Sequence, residues 1–293
     1  MGTSRAAAIA AAVLALAASA STQDRPLPAP EPFLKQVRAH LETDASRQFG
    51  YSYVETRRRT SIDGKGQRRD ESVTVLESYP PLPGEDERWE RVMERDGKRV
   101  PDAELRKADD ERRKKAERIA RTVSAQTPAD RVSVERQRAA DRRERAELVD
   151  DVFVVYDIAM LGREQLEGHD TIAFSLQPRR DAKPRTREGR MLKAFRGRAW
   201  VSESDFELAR LDVEAVDTVS IGLGLLARVH KGTTVSFTRR KVNGEAWLPA
   251  RAEYVFSARV LLLKRLREGG SFEFSNYRKF TVNTSTAIES PAN

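Results

Sequence analysis

The chain has 293 residues, one third of them charged, with 53 Lys and Arg against 45 Asp and Glu and no cysteine. That composition excludes a disulfide framework, a thiol nucleophile and a lipidated cysteine. The net charge of +8, read as spread along the chain, fits a solvated surface first and, as the alternative, contact with anionic lipid headgroups, lipopolysaccharide or acidic partners. No helix-turn-helix pattern and no strand interleaving aromatic with basic residues is present, so nucleic acid is not an expected partner.

Residues 1–20 have the three parts of a secretory signal: a basic start ending at Arg5, an apolar run over 6–18, and Ala18-Ser19-Ala20 as a small-residue cleavage site. Cleavage near Ala20 and a periplasmic or secreted location are expected. Residues 21–32 form a Pro-rich leader, with Pro26, Pro28, Pro30 and Pro32 on alternate positions, expected to lie outside the fold. Residues 33–293 read as a single β-rich domain, long enough to bury about three quarters of its unfolded surface.

Within that domain Phe33, Leu34, Val37 and Leu41 recur at helical spacing, which predicts an amphipathic helix over 33–45 able to cover a sheet. Strands are predicted over 51–60, 72–79 and 87–94, with turn signals at Asp63-Gly64 and Asp96-Gly97. Arg57, Arg58 and Arg59 stand in tandem, so successive guanidinium groups point to opposite faces.

At about 101–149 the composition shifts to Arg, Lys, Glu, Asp and Ala, with Pro128 dividing two helical pieces. The near balance of charge predicts i to i+4 ion pairs on exposed helices, arranged as a lid or as a passive solvated hairpin. Strand pattern resumes over 152–160, a polar link follows over 162–169, and a second strand covers 171–177. A basic, proline-containing loop over 178–190 is expected to be mobile.

Five more strands are predicted over 198–203, 207–216, 233–242, 246–260 and 270–282, each alternating apolar with polar residues. In the fourth, Ala252, Tyr254, Phe256, Ala258 and Val260 share one face while Arg251, Glu253, Ser257 and Arg259 share the other. The apolar face must lie on a second sheet, a helix or a bound apolar molecule.

Catalytic constellations are missing. His40, His169 and His230 lack metal-ligand spacing, there is no Gly-x-Ser-x-Gly elbow, and Gly222-Leu223-Gly224 has no βαβ unit around it. Glu203 with Asp205 is a carboxylate pair of a kind that chance supplies in so charged a chain. No enzyme activity, cofactor or metal is expected. Two unalternating apolar runs, 219–229 and 260–266, read either as core or as a surface for an acyl chain. In the second reading Leu223, Leu225, Leu226, Tyr254, Phe256, Leu261, Leu262 and Leu263 line a cavity, while Lys264, Arg265 and Arg267 meet a headgroup.

The segments GRAWVSESDFELARLDVE (197–214), NGEAWLPARAEYVF (243–256) and SNYRKF (275–280), together with the signal and the first helix, give the chain a pattern that resembles the LolA-like group of periplasmic lipoprotein carriers and related sensor domains. The resemblance implies an incomplete, curved antiparallel β-barrel wrapped around helices and enclosing a hydrophobic cavity. It implies a non-catalytic carrier of an apolar ligand or of lipoprotein acyl chains. The alternative is a periplasmic protein-interaction or envelope-sensor module whose sheet interior is filled and whose partner is an envelope protein. Peripheral membrane contact fits both, and the charged insertion departs from the compact carriers.

Overall fold

A computed structural model describes residues 25–63, 67–82, 85, 87–221, 227–260 and 264–279. The expected signal with its cleavage site, and Leu223, Leu225, Leu226, Leu261, Leu262 and Leu263, lie outside the described residues.

The chain opens with helix α1 (Pro30–Gln48), then strands β1 (Tyr51–Ile62), β2 (Arg68–Tyr79), β3 (Trp89–Arg95) and β4 (Lys98–Arg99). Two long helices follow, α2 (Asp102–Ser124) and α3 (Pro128–Val155). The chain then forms β5 (Tyr156–Leu166), β6 (His169–Pro178), the short helix α4 (Arg187–Leu192), β7 (Phe195–Ser202) and β8 (Leu208–Ala215). The remaining strands are β9 (Val219–Ile221), β10 (Ala227–Val229), β11 (Thr234–Val242), β12 (Ala246–Val260) and β13 (Lys264–Lys279).

All pairings are antiparallel, in the order β4-β3-β2-β1-β13-β12-β11-β8-β7-β6-β5, with β9 and β10 continuing off β12. The path ends in two strands, β4 and β5, that do not pair with each other. The expected curved, incomplete barrel is therefore overturned: the sheet is open, neither closed nor strongly curled. Closure needs a ladder between the terminal strands, and β4, two exposed residues long, has almost none to offer.

Tight turns set the register. Asp96-Gly97, Glu167-Gly168 and Asn243-Gly244 each place two residues at positive φ, between 49° and 78°, the geometry that lets a two-residue loop match the twist of its strands. The polar link expected over 162–169 is instead strand up to Leu166, this turn, and strand again from His169. Its Glu-Gly pair is a weaker turn signal than Asn-Gly, because a glutamate side chain does not favour positive φ.

Register then separates two faces. One continuous row runs Phe174, Ala199, Leu211, Phe237, Ala252, Phe272, Arg57 and Thr74. The row beside it runs Ser175, Arg198, Asp212, Ser236, Glu253, Ser271, Arg58 and Val73 and faces the other way. Helices cover the apolar side. Phe33 and Val37 of α1 pack on Ile172, Phe174 and Val201, with the Phe33 and Phe174 rings stacked at 5.9 Å. Val155 and Val152 of α3, with Leu192 of α4, pack on Tyr156, Leu176 and Ala199. Each such buried side chain stabilises the fold by about 1.5–3 kcal/mol.

Three local readings are corrected by this packing. Helix α1 starts at Pro30, since Pro30 and Pro32 fall in the first turn, where a missing N–H costs nothing. The described part of the leader touches the fold: Arg163 donates to the carbonyls of Arg25 (2.7 Å) and Pro26 (3.1 Å). Residues 152–155 are helix, not strand, because Val152 and Val155, three apart, meet the same core.

The loop expected to be mobile is pinned by Asp151, which is buried in α3. Its carboxylate accepts from the Arg185 N–H (2.8 Å), the Thr186 N–H (2.7 Å) and the Thr186 hydroxyl (2.6 Å). Burial pushes the Asp151 carboxyl up, but these donors outweigh it and hold its pKa below the ordinary 3.8. Thr186 also caps α4 by accepting from the Gly189 N–H at 2.8 Å. A Cβ on Gly189 would stand 2.1 Å from Asp151 Oδ2, so only glycine fits there.

Candidate functional site

The polar row floors a groove of about 950 Å³ crossing eight neighbouring strands from β6 to β2. Its walls are charged: Arg58, Arg196, Arg198, Arg210 and Arg251 stand among Glu71, Asp212, Glu214, Glu253 and Glu273. Residues two apart on a strand share a face, so several pairs form along one strand. Arg210 reaches Asp212 at 2.7 Å and Arg251 reaches Glu253 at 2.6 Å. Others form between strands: Arg196 meets Glu214 at 3.0 Å, and Arg58 meets Glu71 at 3.9 Å. Arg198 bonds Glu164 at 2.8 Å, and the guanidinium groups of Arg198 and Arg210 both lie over the Trp200 ring, at 4.8 and 4.9 Å. The Ser236 hydroxyl donates to Asp212 at 2.6 Å.

These pairs are half-exposed to exposed, so each is worth about 0–1 kcal/mol and exchanges readily for a ligand's charge. A hydrocarbon would have to strip water from ten charged groups. A polypeptide with side chains of both signs would replace one ion pair by another.

Of the described sequence-derived site residues, Tyr254 is among those lining the groove. Tyr254 and Phe256 alternate with the groove's Glu253 and Val255 and are half-buried. The Tyr254 ring stacks on Phe272 at 5.9 Å, and its hydroxyl donates to Glu268 at 2.5 Å. Burial first, and then that hydrogen bond, push the phenol up to about 12. Lys264 and Arg265 pair in register with Val260 and Arg259, and exposed Arg267 stands opposite Ser257. Ala227 pairs with both Ile221 and Val260, so the strands flanking the two apolar runs lie side by side.

Glu203 and Asp205, read from sequence as a chance pair, anchor the β7–β8 turn. Glu203 accepts from Arg163 at 2.7 Å and also pairs with Arg25. The Arg163 hydrogen bond is the main cause holding the Glu203 carboxyl below its ordinary 4.5, against the opposing effect of burial. Asp205 accepts from Trp247 Nε1 and from Lys241, both at 2.9 Å.

Sequence reasoning missed the buried pair Arg239–Glu207, 3.7 Å apart beneath α1, where His40 Nδ1 lies 3.2 Å from Glu207. Arg239 donates to the Leu208 carbonyl at 3.1 Å. The alternation of β11 puts Arg239 on the same face as Phe237, a polar residue at an apolar position, which was the available signal. A second cleft of about 260 Å³ remains between the end of α1 and the sheet, lined by Leu41, Phe49, Tyr53, Arg88, Leu248 and Tyr277. It falls below the range of about 300–1,000 Å³ typical of ligand pockets. Among the described residues no group of three or more His, Asp or Glu could hold a metal ion, and no helix is long and apolar enough to cross a membrane.

No protein-family model matches the chain, and no curated protein matches it. Among solved structures it is similar to a LolA superfamily protein from Nitrosomonas europaea, at 12% identity and a TM-score of 0.32, covering 84% of this chain and 93% of that one. It is similar to a putative outer membrane lipoprotein-sorting protein domain from Vibrio parahaemolyticus, at 11% identity and a TM-score of 0.29, covering 87% and 95%. A third is the MucA/MucB complex of Pseudomonas aeruginosa, at 10% identity and a TM-score of 0.23, covering 84% and 99%. Likeness this distant names no partner.

Proposed function

We propose that the protein is an exported, non-catalytic binding module of the cell envelope, and that it recognises a polypeptide segment through the charged groove. The observation that carries this reading is the composition of the groove: five arginines and five carboxylates in about 950 Å³, on the side of the sheet that no helix core occupies. Export rests on the signal-like residues 1–20. Selection of displayed peptides on the purified mature protein tests it. Enriched sequences are expected to be polar and to carry charges of both signs, and to lose binding to an Arg210→Ala, Arg251→Ala double variant. Equal enrichment on the wild type and that variant would sink the reading.

A second reading, contact with acyl chains, is favoured by one feature. The apolar row continues past the helices to Phe237, Ala252 and Phe272, which are half-buried, and the described strands flanking the two leucine-rich runs pair with each other through Ala227. Native mass spectrometry of the purified protein is then expected to show bound lipid, and Leu225→Arg or Leu262→Arg to abolish it. An unliganded wild-type spectrum after incubation with lipid removes this reading and leaves the groove untouched.

A further inference from the structure

The net charge of the chain is concentrated in one place. Residues 112–145, which run from the base of α2 through the turn to Arg145 of α3, hold twelve Arg and Lys against five Asp and Glu. That is +7 of the chain's +8. On α2, Lys107, Lys114, Arg118 and Arg121 fall at i, i+7, i+11 and i+14; on α3, Arg131, Arg138, Arg142 and Arg145 repeat the same spacing. Each set makes a single stripe about 21 Å long. All eight side chains are exposed, and among the described residues only Arg142 of the eight has an ion pair, with Glu135 at 2.8 Å. Asp110, Glu111 and Glu135 are the acids lying along the stripes, and Asp110 pairs with Arg113.

The base of this arm is fixed and its tip is bare. At the base of α2, Leu105 is buried, Asp109 pairs with Arg91 at 2.9 Å, and Lys115 pairs with Glu85 at 2.6 Å. The Arg112 guanidinium lies 4.5 Å from the rings of both Tyr79 and Trp89. At the base of α3, Asp150 pairs with Arg38, and Asp151 and Val155 are buried. Between these anchors no residue of either helix is buried, and Val123 and Val132, on either side of the turn, are 44% and 50% exposed.

We infer that the α2–α3 arm is an electrostatic docking element for an anionic lipid surface, its unpaired Lys and Arg side chains meeting phosphate headgroups and Val123 and Val132 resting at the boundary. An acidic protein partner fits less well. A stable protein interface needs a dry apolar centre, and the distal arm offers only Ile119, Val123, Val132, Val134 and alanines. A phosphate surface needs diffuse positive charge alone, each basic residue tightening adsorption about fivefold. The inference is independent of the groove.

Co-sedimentation of the mature protein with vesicles tests it. Binding is expected to phosphatidylcholine–phosphatidylglycerol vesicles and not to pure phosphatidylcholine, and to weaken as salt is raised. The variant Lys114→Gln, Arg118→Gln, Arg121→Gln is expected to bind about a hundredfold more weakly with an unchanged melting temperature, while the Arg210→Ala, Arg251→Ala groove variant binds like wild type. Equal binding to both vesicle types, or undiminished binding by the triple variant, overturns the proposal. So does an arm-dependent grip on polyglutamate without binding to anionic vesicles, which would point to an acidic protein instead.

Discussion

The groove and the arm are built from the same residue types and treat charge in opposite ways. In the groove, strand alternation puts Arg210 beside Asp212 and Arg251 beside Glu253, so positive charge is met within the chain. On the arm, basic residues recur at helical spacing along one stripe while most acids fall on other sides, and seven of eight have no ion pair among the described residues. The contrast teaches that the period of the charge pattern, more than its amount, decides whether a side chain is held by its own fold or left for a partner. A groove of matched pairs discriminates by exchange. An arm of unmatched cations adsorbs.

The comparison assumes that neither charged region holds the fold together, and the largest effect should therefore come from a residue in neither. Phe174→Ala, beneath α1, is expected to cost about 4 kcal/mol in urea unfolding; a loss below 1 kcal/mol would mean that the helix core does not carry the stability. Next comes the base of the arm. Asp151→Ala leaves the three donors from Arg185 and Thr186 without their buried acceptor and is expected to cost about 3 kcal/mol, read by the same titration and by earlier proteolysis of residues 178–190.

Acid offers a subtler version of that test. Because the folded Asp151 carboxyl titrates below the ordinary 3.8, its stabilisation is complete above that pH and is lost as pH falls through the lower folded value. The gap in melting temperature between wild type and Asp151→Asn should accordingly narrow as pH is lowered below 3.8. A gap that stays constant down to strongly acid pH would show that the charge contributes nothing.

Smaller effects should separate the two charged regions themselves. Arg210→Ala or Arg251→Ala is expected to change unfolding free energy by less than about 1 kcal/mol, since their pairs are solvent-screened. Each arm substitution among Lys114, Arg118 and Arg121 should fall within about 0.5 kcal/mol. A stability loss on the arm exceeding that in the groove would reverse the comparison, showing its stripes to be engaged within the fold.

Much of the architecture was legible beforehand. Strand β12 occupies the range read from alternation alone, Asn243-Gly244 turns where expected, and Pro128 divides the two helices of the insertion. Misreadings arose where local pattern and tertiary context disagreed. Residues 152–155 are β-branched and aromatic, which favours strand, yet packing keeps them helical. The proline-containing loop over 178–190 looked free because its anchor, Asp151, lies more than thirty residues away in sequence. Of the cavity residues read from sequence, only Tyr254 and Phe256 are among the described ones; Tyr254 is one of the residues lining the groove and Phe256 is not.

The sequence by itself determined the alternation of each strand, the placing of the glycine turns and the uneven distribution of charge, because all three are local properties of a chain with a period of 2 or 3.6 residues. Only the tertiary structure decided that the sheet stays open, that α1 and α3 cover its apolar side, and that a row from Arg198 to Arg58 assembles into one charged groove. Those outcomes depend on the register between strands distant in sequence, and register is set by burial on one face, which no single segment contains.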